Sequence, residues 1–311
     1  MAAKERVVVT GGAGFIGSHI TDMLVEKGYE VLVIDDLSSG KKENINPKAK
    51  FTQVDIASPA MLPVLKKFSP QYIIHEAAQI SVSRSVRLPL EDARINITGA
   101  LNLLDYAARN KVKKFIFASS GGTVYGGRAK CPADESYPLD PDSPYGISKA
   151  VMEWYLRFYM KEYGLKYTAL RYSNVYGPRQ DPHGEAGVVA IFCRKLLRGE
   201  TCVINGDGKY IRDYVYCKDV ARANLLALKS AATGGFNIGT GIATDVNQLY
   251  SKINKVLGVK TKPKYGSHRA GDIRKSLLDW RKSKKVLGWR PLTCLDDGIS
   301  ETVEYFKSER N

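Results

Sequence analysis

"RVVVTGGAGFIGSHI", residues 6–20, runs through three consecutive valines, breaks into glycine and resumes as apolar residues at helical spacing. The β-branched run predicts a strand, and the pattern from Phe15 predicts a helix closed by Gly28. The turn between them satisfies Gly12-x-Gly14-x-x-Gly17 and also the wider Gly11-x-x-Gly14-x-x-Gly17. Glycine suits such a turn because the backbone bends sharply, approaches a pyrophosphate closely and packs the helix against its strand. The helix N-terminus beyond it offers N–H groups and partial positive charge to phosphate oxygens. A glycine-rich turn alone is weak evidence, but the context adds to it. The second strand, "EVLVIDD" (30–36), reaches Asp35, 18 positions after Gly17. A carboxylate there accepts from a ribose diol and repels a 2′-phosphate, so the cofactor it predicts is NAD and not NADP. Asp55, in "QVDIAS", either reaches the adenine amine or is an ordinary strand-end turn aspartate.

Outward from this unit, "QYIIHEAA" (71–78), "KFIFASS" (114–120) and "KYTALRYSNVYG" (166–177) read as further strands. Between them, residues 90–110 and 145–164 carry apolar residues at helical spacing. Strand–helix alternation of this kind predicts an α/β fold with a Rossmann-type, doubly wound parallel sheet. After about residue 176 the pattern loosens into loops rich in Gly, Pro and Arg, with one return to the sheet near "GGFNIGTG" (234–241). The expected division is a dinucleotide-binding domain of residues 1–175 plus roughly 213–245, and a smaller lobe of 176–212 and 246–311.

The 311 residues suffice for a sizeable core, and 44% hydrophobic with 25% charged residues is the profile of a soluble globular chain. No stretch approaches the ~20 apolar residues of a membrane span. The opening "MAAKERVVVTGG" fits neither a secretory leader nor an anchor, and five cysteines without a CxxC pair suggest reduced thiols in a cytoplasmic protein. The net charge of +15 raises nucleic acid as a partner. The basic residues are spread along the chain, with no zinc-finger spacing or aromatic RNA-binding signature. A basic surface that favours small anionic substrates, with neither nucleic acid nor membrane as partner, is therefore the expectation.

"SPYGISK" (143–149) places Tyr145 and Lys149 one turn apart on a helix face, with Ser143 as N-cap and Pro144 at the first helical position. A lysine and a cationic nicotinamide near the phenol would lower its pKa from ~10 towards neutrality, making it a base for a hydroxyl proton.

Together with "GGAGFIGSH", "DDLSSG", "HEAAQISV", "INITGALNLL", "SSGGTVYG", "LRYSNVYGPRQ", "IRDYVYCKDVA" and "HRAGDIRKS", these motifs make the chain resemble the extended short-chain dehydrogenase/reductase family nearly end to end. Within it, the chain resembles the UDP-glucose 4-epimerases (UDP-galactose 4-epimerases). The resemblance implies Tyr145 as base and Lys149 as its activator and a ribose contact. It implies NAD contacts from Gly11, Gly14, Phe15, Ile16, Gly17, Asp35, Asp36, Asp55 and Ile56, with Ala77, Ala78 and Asn96 along the cofactor's path. Asn174, Arg212 and Arg269 would hold a nucleotide diphosphate, to which guanidinium forks are suited, and Asp272 a uridine ribose hydroxyl. Ser276 stands where a small residue admits an N-acetyl group and a bulky one excludes it. The implied reaction oxidises a UDP-hexose at C4 to a 4-keto sugar, turns it and reduces it on the other face, interconverting UDP-galactose and UDP-glucose, with the N-acetylated pair as a second candidate that Ser276 suggests. The resemblance also implies a homodimer built on the helices at 90–110 and 145–164.

One departure stands out. Aligned on "VYG", the family's catalytic serine falls at Gly121. Thr123, Ser120 or a water held by Gly121 and Gly122 are the candidate replacements. Nucleotide-sugar 4,6-dehydratases need an acidic pair where Gly122 and Thr123 stand, and decarboxylases of UDP-glucuronate a glutamate at Thr123. Neither acid is present. Other readings remain: an epimerase or reductase of another nucleotide sugar, such as UDP-glucuronate, or a non-catalytic NAD-binding module that recognises RNA or a protein. His19, His75, His183 and His268 lack metal-binding spacing, so no metal is expected.

Overall fold

The computed structural model describes residues 4–182, 187–268 and 273–309. The first half runs β1 (Arg6–Thr10), α1 (Phe15–Glu26), β2 (Glu30–Asp35), β3 (Lys50–Gln53), α2 (Met61–Phe68), β4 (Tyr72–His75), α3 (Val82–Arg87), α4 (Pro89–Ala93), α5 (Ala100–Arg109) and β5 (Lys114–Ser120). Next come α6 (Pro144–Tyr163), β6 (Tyr167–Tyr172), β7 (Asn174–Tyr176), α7 (Val188–Leu197), β8 (Val203–Asn205), β9 (Ile211–Arg212) and β10 (Tyr214–Tyr216). The chain then forms α8 (Cys217–Lys229), β11 (Gly234–Ile238), β12 (Thr244–Asp245), α9 (Val246–Leu257), β13 (Lys264–Gly266), β14 (Lys275–Ser276), α10 (Arg281–Leu287) and α11 (Leu295–Ser308).

The central sheet has seven parallel strands in the order β11-β6-β5-β4-β1-β2-β3. This is the doubly wound arrangement that the alternation predicts. Its strands are apolar at successive positions because helices cover both faces. Val7 and Val9 point into a core shared with α1 and α8, while Val8 points into one shared with α2, α5 and α6. The chain order reverses between β1 and β4, and at such a switch point the strands' C-terminal ends leave a crevice.

Several elements depart from the sequence pattern. The single strand expected over 166–177 divides at Ser173: β6 belongs to the large sheet, whereas β7 pairs with β10 in a separate ladder. Ser173 N–H donates to the Ile238 carbonyl and Asn174 N–H to that of Asp213, so the chain changes ladders within one residue. The helix expected over 90–110 is interrupted by a π-helical turn at Arg94–Gly99. The second half is more helical than its glycines and prolines suggest. There α7, α9 and α11 enclose a separate core, while α8 returns to pack on α1, and Leu287 and Trp289 join the core beside it. No helix among the described residues is long and apolar enough to cross a membrane.

A buried ion pair ties these parts together. Glu153 of α6 and Arg171 of β6, each 7% exposed, meet in fork geometry at 2.6 Å between Nη2 and Oε2 and 2.9 Å between Nε and Oε1. Ser119 Oγ donates to the same carboxylate at 2.6 Å, and Arg171 Nη1 donates to the Tyr125 hydroxyl at 2.7 Å. That hydroxyl donates to Asn237 Oδ1 of β11, whose amide nitrogen reaches the Ala133 and Asp279 carbonyls. Both ends of the 119–125 loop are therefore held by one pair of charges. Arg171→Met, which strands the Glu153 carboxylate, is expected to cost about 3–5 kcal/mol in urea unfolding, and adding Glu153→Gln should recover much of that loss.

Candidate active site

At the switch point, β1 ends on Gly11, whose φ of +68° lies in the left-handed region. A Cβ there would fall 2.6 Å from the Ala77 nitrogen, and one on Gly17 would fall 2.2 Å from the Gly11 carbonyl oxygen. No side chain fits between this turn, the start of α1 and the chain leaving β4. The α1 N-cap is Gly14, which supplies no side-chain acceptor, so the helix N-terminus remains able to receive an anion. Asp35 lies beside the turn, its carboxylate accepting from Ala13 N at 3.0 Å and Leu37 N at 2.9 Å; burial raises its pKa against both hydrogen bonds. A side-chain-free cradle, an uncapped helix start and this carboxylate fit NAD.

The remaining expected cofactor residues have different surroundings. Phe15 stands edge-on to His19, and Ile16 packs on the core beneath. Asp36 holds its own turn through Ser38. Asp55 pairs with Arg94 at 2.8 Å and accepts from Ala57 N, while Ile56 is buried against Gly99. Asn96, turned inward on the π-helical segment, donates to Gln79 O, Asp92 Oδ1 and Ser148 Oγ and accepts from Gln79 N. This network braces the segment that follows Ala77 and Ala78, and it leaves the Asn96 amide engaged within the protein.

Ser143 caps α6 through Gly146 N, and Pro144 opens the helix, so Tyr145 and Lys149 share its inner face. Lys149 Nζ donates to the Ala118 carbonyl at 2.9 Å and lies 5.7 Å from the centre of the Tyr145 ring. Burial lowers the lysine to about 8, although Glu76 and Asp92 pull it upward. The Tyr145 phenol moves the other way, up to about 12: burial raises it, a hydrogen bond from Ser120 lowers it, and Asp92 and Glu76 raise it further. The protein alone therefore does not bring the phenol towards neutrality, because burial disfavours its charged form and the charges of Asp92 and Glu76 add to that effect.

The loop at 119–126 assigns its hydroxyls distinctly. Ser120 lies near enough to the Tyr145 phenol to pull its pKa down, whereas Thr123 Oγ1 turns back to the Ser120 carbonyl at 3.4 Å. Gly121 has a packing reason: a Cβ there would lie 2.5 Å from Leu278 Cδ1 and 3.1 Å from the Arg171 oxygen. Leu278 is 1% exposed and occupies the volume that a serine would need.

Asn174 Oδ1 lies 4.0 Å from the point where a Gly122 Cβ would stand, at the edge of this loop. Arg212 and Ser276 are directly paired between β9 and β14, which brings two expected substrate residues to one short ladder. Arg269 and Asp272 lie outside the described residues, as does His183. His75 is buried, bonded to Thr10 Oγ1 at 2.7 Å and lowered to about 3 by burial and then by Lys149. Among the described residues no group of three or more His, Cys, Asp or Glu side chains is placed to hold a metal ion.

Residues 7–239 match the model of the NAD dependent epimerase/dehydratase family. The chain belongs to this family. It is 45% identical over 302 residues to a putative UDP-glucose 4-epimerase of Methanocaldococcus jannaschii, covering 97% of this chain and 98% of that protein. It resembles the crystal structure of Thermotoga maritima UDP-glucose 4-epimerase with UDP-glucose at 52% identity and a TM-score of 0.97, over 98% of this chain and 100% of that one. Thermus thermophilus UDP-glucose 4-epimerase, solved with NAD, follows at 43% identity and a TM-score of 0.92, over 97% and 99%.

For a family member, three site residues escaped the sequence reading. Glu76 lies inside the quoted "HEAAQ" but carries no spacing signal. Asp92 looks like one more helical acid. Leu278 is 157 positions from Gly121, with nothing local to link them. Two outcomes follow for the loop. Ser120→Ala should lower kcat by ~10²-fold or more and Thr123→Val by under about tenfold, read from initial rates. Gly121→Ser should lower activity despite restoring the family hydroxyl, and Leu278→Ala in the same chain should recover part of it.

Proposed function

We propose that this protein is a UDP-hexose 4-epimerase that works with NAD retained in its crevice. What supports the reading is that Lys149 and the Ser120 hydroxyl both lie near Tyr145, while the loop that carries Ser120 bears no carboxylate at Gly122 or Thr123. Elimination at a neighbouring carbon requires an acid to protonate the departing hydroxyl, and the loop offers none.

The Gly11–Gly17 turn, the start of α1 and Asp35 would hold the dinucleotide. NAD, when bound, supplies a reversible acceptor for the hydrogen at C4 and brings a positive charge into a site that is otherwise rich in acid. Tyr145 removes the proton of the 4-hydroxyl and returns it after the sugar has turned. Ser120, close enough to the phenol to lower its pKa, would bridge the sugar oxygen and the phenol and stabilise the phenolate. Lys149 supplies the fixed positive charge of the protein. Asn174, Arg212 and Arg269 hold the nucleotide diphosphate and Asp272 the uridine ribose, so that remote binding positions a hexose left loose enough to rotate. Ser276, small and paired with Arg212, favours an N-acetylated hexose as a second substrate beside the plain one.

The proposed assembly is a homodimer. Trp154 and Phe158 on α6 are 58% and 48% exposed, and Leu90 on α4 is 86% exposed, which leaves an apolar surface on the two helices expected to meet a second copy.

The test is to incubate purified protein with UDP-galactose and then UDP-GalNAc, with and without NAD, and to resolve the C4 epimers. Conversion without net accumulation of reduced cofactor, falling ~10²–10⁴-fold in Tyr145→Phe, supports the reading and ranks the two sugars. No conversion of either by folded, NAD-loaded protein overturns it and directs the assay to UDP-glucuronate.

A further inference from the structure

The crevice holds more acid than the proposed reaction uses. Glu76 follows β4 directly and is partly buried, and its Oε1 accepts from the Tyr172 hydroxyl at 2.8 Å. Tyr172 in turn accepts from Asn224 Nδ2 of α8 at 2.8 Å. Because β4 and β6 flank β5, the Glu76–Tyr172 bond crosses the C-terminal end of β5, where the catalytic loop begins. The next residue, Ala77, carries the nitrogen that packs on Gly11. Glu76 is thus set between the dinucleotide turn and the Tyr145–Lys149 pair.

Asp92 of α4 stands on the other side of that pair. It is 1% exposed, and its Oδ1 accepts from the neutral amides of Gln79 and Asn96. The charges of Glu76 and Asp92 both act on Tyr145 and on Lys149. Among the described residues, neither carboxylate stands within ion-pair distance of a cation, and Lys149 gives its hydrogen bond to a backbone carbonyl. The groups acting on Glu76 are therefore Tyr172 from β6 and Lys149 from α6, Glu76 acts in turn on Tyr145 of α6, and His75 on its own strand is neutral. With both carboxylates ionised, the two acids outnumber the one lysine.

We propose that Glu76, backed by Asp92, supplies a negative charge that favours the cationic, oxidised form of the resident nicotinamide cofactor over the neutral reduced form. The inference rests on the epimerase reading, in which the cofactor must end each turnover oxidised. A carboxylate gains Coulomb energy only while the positive charge is present, so it separates the affinities of the two forms. At the spacing of neighbouring side chains this amounts to about tenfold. Burial holds the Glu76 carboxyl up at about 7, against the Tyr172 hydrogen bond and Lys149, so its charge forms as pH rises through neutrality.

The experiment equilibrates the full chain with mixtures of NAD⁺ and NADH and reads bound NADH by its fluorescence, giving the ratio of the two affinities. In Glu76→Gln, which keeps an acceptor for Tyr172, the preference for NAD⁺ should fall about tenfold. A purely structural disturbance weakens both forms alike and leaves the ratio in place. In the unmodified protein the preference for NAD⁺ should grow as pH rises through about 7, and Glu76→Gln should flatten that rise. Should Glu76→Gln not fold, Tyr172→Phe retains the acid but removes its donor. That change favours the neutral carboxyl and should lower the preference in the same direction. An unchanged ratio in either folded variant overturns the proposal and leaves the epimerase reading intact. Failure of the sugar assay with an altered ratio would remove the epimerase reading and leave the charge effect standing.

Discussion

The Glu153–Arg171 pair is the interaction on which the arrangement of the site depends. Two ions out of water carry a large desolvation cost, which is repaid only when every donor and acceptor is met with good geometry. Here the carboxylate accepts from Arg171 and from Ser119, and the guanidinium also serves Tyr125, so the demand for partners fixes α6, β6 and both ends of the catalytic loop relative to one another. Tyr125 carries the constraint on to Asn237, and from there to the Ala133 and Asp279 carbonyls beside Leu278. The loop that presents Ser120 to Tyr145 is thereby positioned from below, by groups that need never touch a substrate.

That constraint bears on which hydroxyl of the loop can stand near Tyr145. With the loop ends fixed, the segment between them can face the phenol with either Ser120 or the following residue. Leu278, brought in by the C-terminal part of the chain, fills the space beside residue 121 and leaves room only for glycine. Ser120 then meets Tyr145, while the Thr123 hydroxyl remains within the loop.

The electrostatics follow the same logic of incomplete sets. Lys149 is lowered by burial and Tyr145 is raised by it, and the two nearby acids oppose the formation of a phenolate. A site that held the tyrosine ionised without its cofactor would need an additional cation, and Glu76 and Asp92 supply the opposite sign.

Sequence alone determined the glycine turn and its strand and helix, the position of Asp35 at the end of the next strand, the parallel sheet and the Tyr145–Lys149 spacing, because each is a local pattern within one or two turns of chain. It also located the departure at Gly121, but it left Thr123, Ser120 and a water as equal replacements. Only the tertiary structure shows what fills the space beside residue 121, since that contact joins Gly121 to Leu278 across 157 positions. The division of 166–177 into two strands was hidden for the same reason, being set by the carbonyls of Ile238 and Asp213 and not by any propensity at Ser173. Asn96 drew its expected role from its motif, whereas the π-helical turn commits its amide to Gln79, Asp92 and Ser148. Glu76 and Asp92 look like ordinary acids in the chain. They become a charge pair around Tyr145 only where β4, α4 and α6 converge, because Coulomb interactions depend on distance in space and burial, which the order of residues does not fix.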